Sequence, residues 1–249
     1  MINLDEDSYF EYKQLVLKNM HKLKPGEKFN FLGTMISICI MGRRKGVAVF
    51  INETLEVCRI MLAEKSNTYS PGSNTDISRY LNMLANFIRF KDWECFDILV
   101  NDFGSKLDAA YKESIISYSY MLKLFTEGKF EKAFNYNNKI DYNHTLLRVN
   151  ARILLIQLYY ELGYIEELIH LLDSSHKFFS VIKHYSEAAV VMSLNFIKYL
   201  KMLIRNKDAR DAEKLYALKK QIAGEDNINV KEWLVEKINE ACELVDEKT

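Results

Sequence analysis

After Pro71 the chain runs through 178 further residues without a proline. Proline breaks helix interiors and glycine closes helix ends, so the two residues together mark where a chain turns. The whole sequence of 249 residues holds 2 prolines and 9 glycines, where average usage would supply roughly 30 of the two combined. Few tight turns can be made from so little. A β-sandwich, a β-barrel, a proline-rich segment and a glycine-rich phosphate loop are all disfavoured, and long helices are favoured. Beyond Gly72 only Gly104, Gly128, Gly163 and Gly224 remain, each at or near an expected helix end.

Hydrophobic periodicity agrees. Apolar residues recur at i, i+3, i+4 and i+7 along nearly the whole chain, the pattern of amphipathic helices. The spacing predicts helices near 5–24, 27–41 and 47–65, broken at Pro25-Gly26 and at the turn from Gly42 to Gly46. A polar loop, 66–75, holds the second proline. Further helices are expected near 76–90, 93–107, 109–127, 130–140, 144–162, 165–182, 185–205, 208–223 and 229–245. The gaps between them are short, and short connections impose antiparallel neighbours. Three regions follow: 1–65 as N-terminal hairpins, 66–75 as a loop, and 76–249 as a repeat body.

One local pattern recurs in that body: a helix, a turn residue, an apolar residue two further on, then a small residue. The run from Tyr118 through Gly128 and Phe130 to Ala133 is repeated from Ile153 through Gly163 and Ile165 to Leu168. The two glycines stand 35 residues apart, close to the tetratricopeptide period of about 34. Weaker copies place Lys91 and Lys207 at the turn. In each, the apolar residue (Trp93, Phe130 or Ile165) is expected to wedge between the two helices, and Ala133 or Ala212 to let them approach. On these residues the chain resembles the tetratricopeptide repeat family in degenerate form. Leu84, Met121, Ile156 and Leu200 replace the small residue of the first helix, and the closing proline is missing. The stretch from Glu127 onward, with Asn195–Lys201 and Lys231–Ile238, is also similar to helical-repeat regions of uncharacterised bacterial proteins, a likeness that implies no activity. The resemblance implies an all-α fold of stacked antiparallel hairpins, a right-handed superhelix or α-solenoid.

Chemistry-bearing constellations are scarce. The 34 basic and 34 acidic residues leave no net charge, whereas a nucleic-acid binder usually carries a basic excess. Lys198, Lys201 and Arg205 do form a basic helical stripe, with Asp208, Asp211 and Glu213 interleaved nearby, so a solvated face is the simpler reading and nucleic acid is not expected as a partner. None of the five histidines pairs at i, i+4, so no metal site is expected. No nucleophile elbow, Walker or dinucleotide fingerprint occurs, so neither catalysis nor a cofactor is expected. The four cysteines lie far apart in apolar patterns, as buried thiols of a reducing compartment would. No apolar run is long enough to span a membrane. The acidic start, Asp5-Glu6-Asp7, is unlike a signal peptide, and a cytoplasmic location is expected.

In tetratricopeptide-like stacks the first helix of each hairpin lines a concave face. Carried onto this sequence, the resemblance gives a binding groove of Arg89, Tyr118, Phe125, Asn150, Gln157, Tyr160, Glu161, Lys201 and Arg205, with Leu81, Ala85, Leu122 and Ile153 beside them. This mixture of aromatic, amide and charged groups suits a peptide. The expected function is a non-catalytic scaffold or adaptor holding a protein or peptide partner. The alternatives are a regulatory sensor of a peptide or ligand, or a fragment of a larger multidomain protein. Oligomeric state and partner identity are not written in the sequence.

Overall fold

The computed structural model describes residues 6–64, 74–183 and 185–246, and among them every regular element is helical, with no strand. Twelve α-helices follow one another: α1 (Glu6–Asn19), α2 (Pro25–Arg44), α3 (Val49–Ala63), α4 (Asn74–Arg89), α5 (Trp93–Ile98), α6 (Ala109–Thr126), α7 (Phe130–Phe134), α8 (Thr145–Leu162), α9 (Ile165–Val181), α10 (Glu187–Asp208), α11 (Ala212–Ala223) and α12 (Lys231–Asp246). The loop expected at 66–75 lies outside the described residues except for its last two positions, which open α4. Contacts divide the chain into two compact units, 1–149 and 150–249. The division falls inside α8.

Four turns share one geometry. Lys91, Gly128, Gly163 and Arg210 all adopt positive φ, at 54°, 72°, 75° and 51°. At each, the N–H of the turn residue donates to the carbonyl three back: Ile88, Phe125, Tyr160 and Lys207 respectively. The next N–H donates to the carbonyl five back: Phe87, Leu124, Tyr159 and Asn206. That pair of bonds is the Schellman closure, which satisfies carbonyls a helix end would otherwise leave bare. The following helix begins two residues after the turn residue in every case, at Trp93, Phe130, Ile165 and Ala212. Asp92 and Asp211 also cap that next helix, accepting the N–H of Cys95 and of Lys214 at 3.3 and 3.0 Å.

The sequence-based expectation therefore holds at three of the four turns and slips at the last. Lys207 is still helical, because α10 continues to Asp208. The turn residue is Arg210, and the inward position five further on is the fully buried Leu215 rather than Ala212. The wedge differs too. Phe130 packs on Phe125 with ring centroids 5.4 Å apart, but Ile165 stands 39% exposed. Two expected helices are broken. After Ile98 the chain widens into a π-helical turn (Leu99–Phe103) and then tightens into a 3-10 turn (Gly104–Lys106), and α7 ends at Phe134.

In the first unit, Pro25 does not separate α1 from α2 but starts α2, where its fixed φ suits the first helical position. Glu27 accepts the N–H of Lys24 at 2.8 Å and completes that start. Gly42 lets α2 lie directly on α3, since a Cβ there would come 2.1 Å from the Phe50 ring. Lys13 of α1 and Glu53 of α3 form a buried ion pair at 2.7 Å, and Tyr9 donates to the same carboxylate at 3.1 Å. Burial raises the Tyr9 hydroxyl far above the usual phenol range. Further along, Tyr80 of α4 and Ser119 of α6 share a buried hydrogen bond of 3.0 Å.

The second unit is built around Phe179, Phe196, Leu200, Leu203, Leu215 and Leu234, all essentially inaccessible to water. Arg152 on α8 donates to Ser175 and Ser174 on α9 at 2.7 and 2.6 Å. The last helix, α12, lays Trp233 against Tyr160 and Phe196, with ring centroids 5.4 and 6.0 Å away.

Candidate functional site

The nine expected groove residues fall in both units. In the first, Arg89 is exposed at the end of α4, Tyr118 is buried within α6, and Phe125 is half-buried against Phe130. In the second, Asn150 is half-buried and Gln157 is buried. Glu161 is engaged within the protein. It accepts from Trp233 Nε1 at 2.7 Å and pairs with Lys237 Nζ at 3.1 Å. Burial works against the charge on Lys237, but Glu240, Glu161 and Glu236 outweigh it and hold the ammonium above the ordinary lysine range. At this end of α8 the first-helix face is thus covered by α12.

Tyr160, Lys201 and Arg205 come together elsewhere, in a cleft of about 790 Å³ within the second unit. Its remaining wall is Gly163, Ile165, Ile169, Leu172, Ile204, Lys207, Asp208 and Arg210. The geometry follows from helical spacing. Ile165, Ile169 and Leu172 are i, i+4 and i+7 on α9, and Lys201, Ile204, Arg205 and Asp208 are i, i+3, i+4 and i+7 on α10, so each helix turns one stripe to the cleft. Two of the repeated turns close one end, bringing Gly163 and Arg210 to the rim.

The floor is aliphatic and partly open to water, since Ile165 and Ile169 are 39% and 45% exposed. The rim is cationic. Lys201 is held by Asp173 at 2.5 Å, and that hydrogen bond keeps the Asp173 carboxyl below its usual range. Lys207 lies over the Tyr160 ring, 5.3 Å from its centroid. Arg205 and Arg210 make no ion pair among the described residues. Cations also suit the C-terminal end of α10, where the helix dipole is negative. The Tyr160 hydroxyl is buried without a hydrogen-bond partner among the described residues, and burial pushes its pKa up to about 12.

A second cleft, of about 760 Å³, lies in the first unit between α2 and α4. Asn30, Thr34 and Ser37 face it from α2, and Arg79 and Asn82 from α4. The Thr34 and Ser37 hydroxyls donate back to their own helix at Asn30 and Gly33, and the Arg79 guanidinium stacks 3.7 Å over the Phe29 ring. None of the nine expected residues is there. The polar i, i+4, i+7 stripe of α2 could have signalled it in the sequence.

Among the described residues no three His, Cys, Asp or Glu gather as metal ligands would, and no helix is long and apolar enough to cross a membrane. Comparison with protein-family models, with curated proteins and with solved structures returns no match.

Proposed function

We propose that the chain is a non-catalytic binding protein, an adaptor that takes a protein or peptide segment on the faces of its helical hairpins. The observation carrying this reading is the cleft between α9 and α10. There, the solvent-exposed Ile165 and Ile169 sit beside Arg205 and Arg210, which make no ion pair among the described residues. An apolar recess with a few polar groups at its edge is the usual composition of a binding site. Helical walls hold it open in advance, which lowers the ordering cost of association. The shared Schellman turns support, in the same reading, a degenerate tetratricopeptide-like relationship among the hairpins.

Photo-crosslinking tests the site. A photoreactive residue at Ile169 should capture a discrete peptide or protein adduct in cells, and Arg205→Glu should abolish it. The same residue at the exposed Lys219 of α11 should capture none. Equal labelling at both positions would contradict the assignment.

A further inference from the structure

Resting on that reading, we infer that the occupant of the α9–α10 cleft is an acidic peptide segment in which one aliphatic or aromatic side chain is flanked by carboxylates. Charge complementarity decides the class. The chain as a whole is neutral, with 34 basic and 34 acidic residues. The cleft wall nevertheless carries Lys201, Arg205, Lys207 and Arg210 against a single carboxylate, Asp208. Among the described residues only Lys201 has its charge answered at contact distance, by Asp173. Lys207 rests on a ring face, which leaves its positive charge in place.

The arrangement of apolar and charged groups selects the pattern. Ile165, Ile169, Leu172 and Ile204 supply the aliphatic part of the wall, and Arg205, Lys207 and Arg210 in the same wall are exposed to solvent. A side chain entering the recess would remove apolar surface from water. Carboxylates one or two positions away along an extended segment would then reach the Arg205 and Arg210 guanidiniums, which can take a carboxylate through two parallel N–H bonds. A neutral apolar peptide would leave those cations partly desolvated with no partner. A purely acidic one would leave the recess unfilled. A nucleic acid would offer phosphates but no aliphatic group for the floor.

Selection from a random peptide display library on the immobilised full-length protein tests this, with the Arg205→Glu, Arg210→Glu double variant as counter-target. Circular dichroism would verify that the variant stays folded. Enrichment of sequences with Asp or Glu on both sides of an apolar residue is expected. A synthetic copy should bind the wild type, lose roughly tenfold or more in affinity to the double variant, and lose a similar factor when its carboxylates become amides. Binding should weaken as salt is raised. If the enriched peptides are neutral or basic yet still discriminate against the variant, the acidic-peptide inference fails while the binding site stands. A single-stranded oligonucleotide that binds as tightly as the selected peptide also overturns it. If no peptide separates wild type from variant, the adaptor reading fails as well.

Discussion

At the scale of single residues, the buried polar groups make the sharpest demands. The Tyr160 hydroxyl has lost water without gaining a partner among the described residues, which costs about 1–3 kcal/mol. Tyr160→Phe should therefore leave urea stability unchanged or raise it by about 1 kcal/mol; a clear loss would mean the hydroxyl is satisfied. Glu161 is the opposite case. Glu161→Ala strands the Trp233 N–H and removes a counter-charge from Lys237, an effect of about 3 kcal/mol. Hydrogen exchange should show α10–α12 losing protection while α4–α6 keep theirs. His144 sets a pH dependence. Its carbonyl accepts the N–H of Arg148 at 2.9 Å, its ring nitrogen lies 3.5 Å from the N–H of Leu147, and burial lowers its pKa. The folded state thus favours the neutral ring. Its stabilising effect is complete above the unfolded histidine value of about 6.5 and is lost as pH falls below that toward the folded value. Denaturation midpoints should drop across that range in the wild type and drop less in His144→Asn.

At the scale of elements, the repeated Schellman turn explains why so few glycines suffice. Gly128 and Gly163 take the left-handed conformation without strain, whereas Lys91 and Arg210 take it at a cost. Lys91→Gly and Arg210→Gly should each stabilise the protein by up to about 1 kcal/mol, and Gly163→Ala should destabilise it by a similar amount, read from thermal unfolding. The placement of most helices and the two glycine turns were legible in the sequence because periodicity and glycine placement are local signals, whereas the early ends of α5 at Ile98 and α7 at Phe134 were not. The fourth turn was not. Arg210 is in the left-handed region against its own preference, held there by backbone bonds from a helix that runs on past Lys207. Ile165 misled for a related reason: an isoleucine after a turn looks the same whether it wedges inward or faces a cleft.

At the scale of the whole molecule, the two compact units each carry their own core and one tryptophan, Trp93 in the first and Trp233 in the second. The groove expected from resemblance drew on both units. What the second unit holds is more local, a cleft between α9 and α10 that gathers Tyr160, Lys201 and Arg205, while α12 takes Glu161. Sequence spacing could put residues on one helix face, but which helix covers which face depends on contacts far apart in the chain, such as those between Trp233 and α8. Methyl NMR offers the most direct measurement of the account, following the isoleucine signals as a display-selected peptide is added. The account predicts that Ile165, Ile169 and Ile204 move together while the buried Ile222 and Ile238 stay still; unchanged spectra, or equal movement of Ile222 and Ile238, would contradict it.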